Sequence, residues 1–253
     1  MTDPRRSEAV FTPARLARLA QIEGWHFWFV GRRALVYRLL RRYSQDGPVR
    51  ILDAGCGTGF TLRTMEGMGY TVIGMDLLRE GLRTARRSDR NAMLAQAEAT
   101  SIPLMTGAFG IVLALDVLEH VADEEMLREV RRVLQPGGIV ILSAPALPGL
   151  WSFRDRAAGH RRRYRKHQLR QLLERSSLRT LDLRYYQFLL LPLVFISRWL
   201  GRSGPTWRDL EERRYPVLSR LLAWINRVEV GLGDVIPWPL GSSLVAVGCK
   251  DGE

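Results

Sequence analysis

The sequence predicts an α/β fold around a largely parallel sheet, and three observations carry that prediction. Short apolar runs rich in branched residues alternate with helical runs between residues 49 and 144. A glycine turn, Gly55-x-Gly57-x-Gly59, leaves the first of those runs in "ILDAGCGTGF". An acid, Asp76, closes the second run in "TVIGMD".

The elements follow in order. Residues 14–43 read as helical, with apolar positions 27, 28, 35, 36, 39 and 40 on one stripe, and "DGP" at 46–48 ends that pattern. Strand-like runs are 49–54, 71–75, 92–97, 109–115 and 138–144; helix-like runs are 58–68, 79–88 and 123–135. The last of these helices starts with acids and carries arginines later, which suits its dipole, and "QPGG" at 135–138 stops it. "GHRRRYRKHQLRQLLERSS" is basic and then helical, "LRTLDLRYY" reads as a sixth strand, and "SSLVAVGCK" at 242–250 reads as the last strand. The stretch between these two strands is too long for a loop and reads as a helical insert. The expected organisation is a helical lid (1–48), a core (49–187 with 242–253) and the insert (188–241).

Composition narrows the function classes. The 253 residues, 46% hydrophobic and 25% charged, suit one α/β domain with additions. Two cysteines exclude a disulfide framework and fit a cytoplasmic location. The first 20 residues show no apolar signal core, and the longest apolar run, 188–196, is far short of the roughly 20 residues of a spanning helix. A net charge of +12 favours an anionic partner, whether nucleic acid, acidic membrane or phosphorylated substrate, and equally describes a solvated basic surface.

The glycine spacing is one residue tighter than a dinucleotide fingerprint, and no Gly-Lys-Ser/Thr follows it. A tight turn after a first strand still aims backbone N–H groups at an anion, which can be a carboxylate. Asp76 can accept both hydroxyls of a ribose, and Asp53 can meet an ammonium. S-adenosylmethionine carries a carboxylate, an ammonium and a ribose.

On these residues the chain resembles the class I S-adenosylmethionine-dependent methyltransferases, over residues 49–146. "ILDAGCGTG", "VIGMD", "AEATSIPL", "FGIVLALDVLEHV" and "VLQPGGIVILSAPA" are similar to the family's motifs and stand in the family's order; Gly110 departs from it, where an acid usually follows the Phe. The resemblance implies a Rossmann-like fold: a mostly parallel seven-stranded sheet with an antiparallel last strand, an N-terminal helical lid, and a helical insert before that strand. It implies S-adenosylmethionine as cofactor and S-adenosylhomocysteine as product. The expected cofactor contacts are Asp53, Gly55, Cys56, Gly57 and Gly59 in the turn, Asp76 and Leu77, Glu98 with the Ala99 amide at the adenine, and Leu115 and Asp116 after the fourth strand. In the similar Trp-Phe-x-x-Arg segment of related bacterial methyltransferases the helix lids the cofactor. Trp28 and either Arg32 or Arg33 take that role here, an arginine reaching the methionine carboxylate.

Methyl transfer to a hydroxyl needs alignment and a base. Among Asp116, Glu119, His120, Asp155, His160, Tyr164 and His167, the preferred candidates are His120 and His160. Asp116, Glu119 and His120 could supply metal ligands, as in ubiquinone-biosynthesis O-methyltransferases, but the reading expects no metal. Arg161, Arg162 and Tyr164 are the expected acceptor-binding residues, in a run where arginine forks match phosphate or carboxylate. The insert interleaves Trp199, Trp207, Trp224 and Trp238 with Arg198, Arg202, Arg208, Arg213, Arg214, Arg220 and Arg227. Its first helix is apolar almost all round, hence buried or lipid-embedded, and its composition suits a peripheral anchor at 188–236 on the inner membrane face, or equally a capping or dimerisation element. The expected acceptor is a small amphipathic or anionic molecule, lipid-linked or not, methylated at O or C. The alternatives are an RNA methyltransferase, disfavoured because no RNA-binding module is recognisable, and a non-catalytic binding module. The sequence leaves the oligomeric state open.

Overall fold

The computed structural model describes residues 12–44, 49–200 and 216–252. The "DGP" break at 46–48 and Arg202, Trp207, Arg208, Arg213 and Arg214 of the insert lie outside the described residues. Seven strands form one sheet in the order β3-β2-β1-β4-β5-β7-β6. They are β1 (Arg50–Ala54), β2 (Thr71–Asp76), β3 (Met93–Gln96), β4 (Phe109–Leu115), β5 (Leu134–Pro145), β6 (Arg179–Tyr186) and β7 (Ser243–Cys249). β1 pairs in parallel with β2 and β4, β2 with β3, and β4 with β5. β7 runs antiparallel to both β5 and β6, so the last strand alone is reversed, as the resemblance implies.

The strand order reverses beside β1, where the chain winds first toward β3 and then, through β4, toward β5 and beyond. Open α/β sheets bind ligands at the carboxyl ends of strands flanking such a point. Here those ends are Gly55, after β1, and Asp116, after β4.

Alternate residues of each strand feed opposite layers, which is why the central runs are apolar at nearly every position. On one face Leu52, Val112, Val140 and Leu142 pack against Met126, Leu127 and Val130 of α5 (Asp123–Val133) and Leu169 and Leu173 of α7 (Lys166–Arg175). On the other, Ile51, Leu113 and Ile141 meet Leu62 and Met65 of α3 (Phe60–Glu66) and Leu35, Val36, Leu39 and Leu40 of α2 (Phe27–Tyr43). The N-terminal segment therefore does more than cover a pocket: most of α2 is a wall of the core.

The single helix expected over 14–43 is broken. α1 (Pro13–Ile22) stops, and α2 restarts at Phe27 with the His26 imidazole accepting from Trp28 N at 3.4 Å. Arg33 donates to the carbonyls of Glu23 (2.6 Å) and Gly24 (3.2 Å) and so stitches the turn between them. Downstream, α5 gives way at Leu134 and not within "QPGG", because those residues already belong to β5, with Gly137 at φ 73°.

Among the described residues two helices lie between β6 and β7, α8 (Leu191–Leu200) and α9 (Pro216–Leu232). α9 buries Leu222, Ala223 and Val230, yet its polarity is mixed on both sides. Its buried side includes Ser219, Asn226 and Glu229, while Val217, Leu218, Leu221, Trp224, Val228 and Leu232 face outward. The inward polar groups are satisfied: Ser219 Oγ accepts from Phe27 N at 2.9 Å and Asn226 Nδ2 donates to Phe27 O at 3.0 Å. Glu229 accepts from Phe188 N (2.8 Å) and Leu189 N (2.9 Å). α8 is not buried all round either, since Leu193, Phe195 and Ile196 are exposed.

Gly31 lets α2 and α9 approach: a Cβ there would lie 2.8 Å from Asn226 Nδ2. Alanine is the better helix former by about 1 kcal/mol, yet overpacking a tight contact costs about 1–3 kcal/mol. Gly31→Ala should therefore lower the melting temperature; an unchanged or higher value would show that this contact yields.

Candidate active site

A cavity of about 350 Å³ opens over the carboxyl ends of β1, β2 and β4. The turn contributes Asp53, Gly55, Cys56 and Gly57; β2 contributes Asp76 and Leu77; Glu98 and Ala99 follow β3; Leu115 and Asp116 end β4. The lid supplies Trp28, Arg32 and Arg33, and also Arg15, Leu19, Glu23 and Phe29. Of the expected cofactor residues only Gly59 stays out of the wall. It opens α3 at φ 79°, and a Cβ there would meet the Ala85 side chain of α4 (Arg79–Ser88) at 2.7 Å. Its role is packing.

Three of the turn's amides are already engaged within the protein, whereas the sequence led us to expect them to face a ligand anion. Gly55 N and Cys56 N donate to Met75 O at 2.7 and 3.0 Å, and Gly57 N donates to Asp76 Oδ2 at 2.8 Å. These bonds dock the turn onto β2 and hold the Asp76 carboxylate, whose other oxygen accepts from Leu78 N at 2.8 Å. Burial pushes Arg33 down to about 10, helped by its neighbour Arg32 and opposed by Glu23.

Two acids at the cavity differ sharply. Burial pushes Asp53 up to about 7; Arg32 opposes this and Asp76 adds to it. Asp53 Oδ2 is buried with no hydrogen-bond partner. Burial also works against charge on Asp116, but Arg32 and Ser143 hold it below the usual carboxylate range. Arg32 Nη1 lies 2.6 Å from Asp116 Oδ2, and Ser143 Oγ donates to Oδ1 at 2.8 Å. Asp116 adopts φ 57°, a left-handed conformation that non-glycine residues hold only where surroundings enforce it.

A second cavity, about 580 Å³, adjoins the first and shares Trp28, Phe29, Asp116, Glu119 and His160 with it. Phe27, Phe153 and Pro145 give it apolar surface; Arg18, Arg154, Arg156, Arg163 and Arg198 make it cationic. His120 lines only the first cavity. Its ring centroid is 4.9 Å from that of His160, and burial, with His160 adding, pushes it down to about 4. Glu119 is buried with Oε2 unpartnered, and burial, reinforced by Asp116, raises its pKa well above the ordinary value. Among the described residues Glu119, His120 and His160 bring one ligand atom each within 4.8 Å of one another, a metal-like spacing. Asp116, grouped with Glu119 and His120 from the sequence, is instead engaged by Arg32 and Ser143.

The expected acceptor residues are not brought to either cavity. Tyr164 is buried, its hydroxyl 3.2 Å from Leu118 O and 3.1 Å from Asp123 Oδ2. Arg162 pairs with the same Asp123 at 2.8 Å, and Arg161 is exposed. Their neighbour Arg163 points inward to Asp155, a contact the run of basic residues did not distinguish. Sequence reasoning also missed Arg15, Arg154, Arg156 and Arg198 as cavity residues. Ser152 and Asp155 form a capping box at α6 (Phe153–Ala157), a local signal that does mark Asp155 as oriented.

Residues 52–142 match the family described as a methyltransferase domain. The ubiquinone biosynthesis O-methyltransferase of Caulobacter sp. (strain K31) is 32% identical over 157 residues, 56% of this chain and 56% of that protein. The malonyl-[acyl-carrier protein] O-methyltransferase of Enterobacter lignolyticus (strain SCF1) is 36% identical over 124 residues, 46% of this chain and 47% of that one. The chain thus spans about half the length of these curated relatives. The crystal structure of the [4+2]-cyclase SpnF superposes with a TM-score of 0.65 at 20% identity, covering 100% of this chain and 97% of that one, which shows the fold. The motif order, the strand order and the matched family agree that residues 52–142 carry a methyltransferase domain of the class I S-adenosylmethionine-dependent type.

Proposed function

We propose that this chain methylates a hydroxyl of a small, amphipathic, anionic acceptor, with S-adenosylmethionine as donor. The observation that carries the reading is the meeting of two cavities at His160, one flanked by Asp53 and Asp76 and the other aromatic and cationic. The donor's groups fit the first cavity. Asp53 offers an orphaned carboxylate oxygen for the ammonium, Asp76 a carboxylate for the ribose, and Glu98 with Ala99 a rim for the adenine. Arg33 is our choice of partner for the carboxylate, since its bonds go to the neutral carbonyls of Glu23 and Gly24 whereas Arg32 is already charge-paired with Asp116.

The bound donor supplies a methyl group on a sulfonium, and the C–S electron pair stays on sulfur when that methyl is displaced. The protein's task is alignment, which is worth roughly 7–11 kcal/mol, and removal of the acceptor proton. His160 suits that second task because it faces both cavities, whereas His120 is a weaker base and faces one. Both curated relatives described above are O-methyltransferases, which supports an oxygen acceptor over carbon.

The outward apolar stripe of α9 supports a lipid-like acceptor delivered at an anionic membrane. Trp224 and Leu221 lie at its centre, and the exposed Arg220 and Arg227 lie on its flank. No helix among the described residues is long and apolar enough to cross a membrane, so the contact would be peripheral.

Two measurements test this function. An ammonium pairs with Asp53 only when the carboxyl is ionised, and its raised pKa of about 7 leaves it mostly protonated below that pH. S-adenosylmethionine affinity, measured by calorimetry, should weaken roughly tenfold from pH 7 to pH 5.5, with proton release on binding near pH 7. Asp53→Asn should remove that pH dependence; a wild-type affinity flat over this range contradicts the assignment. Second, labelled methyl from S-adenosylmethionine should enter the lipid or small acidic fraction of an extract, and label in RNA alone would replace this reading with the RNA alternative. In the same preparation the chain should float with phosphatidylglycerol vesicles in a salt-sensitive way, and Trp224→Ser with Leu221→Ser should abolish flotation. Equal flotation of variant and wild type removes the membrane contact.

A further inference from the structure

His160 is held by a partner that the methyl-transfer reading does not require. Asp155, at the third position of the short helix α6, is buried and gathers four donors and the His160 ring. Its Oδ1 accepts from Arg163 Nε at 2.8 Å and lies 3.1 Å from His160 Nδ1. Its Oδ2 accepts from Arg198 Nη1 at 2.7 Å, Ser152 N at 2.8 Å and Ser152 Oγ at 3.2 Å. Two guanidiniums fix this carboxylate in its charged form, and the charged form offers His160 only acceptor atoms.

We propose that Asp155 is the positioning residue for His160: it keeps the imidazole proton on Nδ1 and leaves the lone pair of Nε2 at the junction of the two cavities, and Arg198 locks Asp155 in that role. The inference rests on the reading of His160 as the base. When the acceptor oxygen bonds to the transferred methyl carbon, its proton moves to Nε2, and the imidazolium so formed keeps Nδ1–H on Asp155. The proton then passes to solvent. Asp155 takes no proton at any stage.

Two further side chains flank the ring. Glu119 Oε1 lies 3.8 Å from His160 Nε2, and burial, which favours the neutral form of Glu119, keeps a competing charge from Nε2. His120 meets the ring at an interplanar angle of 77°. The backbone holds the loop as well: His160 N donates to Asp155 O at 2.9 Å, and Arg161 N donates to Glu119 O at 2.8 Å.

Arg198 connects this pair to the insert. It comes from α8, donating also to Leu150 O and Ser152 Oγ, each at 3.0 Å. The neighbouring Ser197 Oγ accepts from Arg154 Nη1 at 2.8 Å. The helix that carries exposed Leu193, Phe195 and Ile196 on its outside thus presents, on its inside, the cation that orients the base's partner.

The test is the tautomer of His160, read by two-bond ¹⁵N–¹H correlation on the full chain with ¹⁵N-labelled histidine and S-adenosylhomocysteine bound. The chain has 4 histidines, and His160→Gln assigns the signal. The wild type should show Nδ1 protonated and Nε2 bare above the titration of the ring; a proton on Nε2 overturns the proposal without any variant. Asp155→Asn places an amide among donors, of which only the Ser152 hydroxyl and the histidine can switch to accepting, so the Nε2–H form should gain population. Should that variant fail to fold, Arg198→Gln keeps Arg163 in place and should retain the Nδ1–H form with faster exchange of that proton. An unchanged tautomer in Asp155→Asn, or unchanged exchange in Arg198→Gln, contradicts the role. S-adenosylhomocysteine binding in each sample is measured separately, so loss of the cofactor site and loss of the Asp155–His160 pair are told apart.

Discussion

The ion pair between Arg32 and Asp116 holds the two halves of the site together. It joins the lid helix to the carboxyl end of β4 across a contact of 2.6 Å. Both partners are largely removed from water, so the pair contributes little net stability but is costly to break, about 3–5 kcal/mol when one partner is removed. What it supplies is register. Asp116 holds a strained backbone, and that strain places its carboxylate between Arg32 and Ser143 at the edge shared by both cavities. Without it, Trp28 and Phe29 would lose the anchor that sets them over the glycine turn.

A second constraint comes from the polar residues on the inner side of α9. Ser219 and Asn226 face the start of α2 and bond the lid to the insert, beside the buried Leu222, Ala223 and Val230. Together with Arg198 reaching Asp155, the insert touches the cofactor lid at one end and the proposed base at the other. A partner bound on the outer face of the insert would therefore bear on both cavities through a few hydrogen bonds.

Much of the core was legible because its signals are local. The alternating runs, the tight glycine turn and the acid closing the second strand each depend on residues near in sequence, and the mostly parallel sheet with its reversed last strand followed from the resemblance those motifs carry. The misreadings share another cause. Whether the turn's amides are free depends on Met75 and Asp76, which the chain brings alongside only once β1 and β2 pair. The basic run at 161–166 looked like an anion site, but Arg162 and Tyr164 meet Asp123, and Arg163 meets Asp155. Arg198 looked like an anchor residue and is instead a half-buried partner of an acid 43 positions earlier. Composition reports charge; only the fold decides which charges neutralise one another.

The central claim is that a sulfonium nucleoside occupies the first cavity with its reactive end toward His160. A crystal structure with S-adenosylhomocysteine tests this directly. The account predicts the ribose hydroxyls on Asp76, the ammonium on Asp53, and the sulfur facing the junction where His160 stands. A nucleoside bound with its sulfur turned toward β3, or a cavity filled by a pyrophosphate, would contradict it.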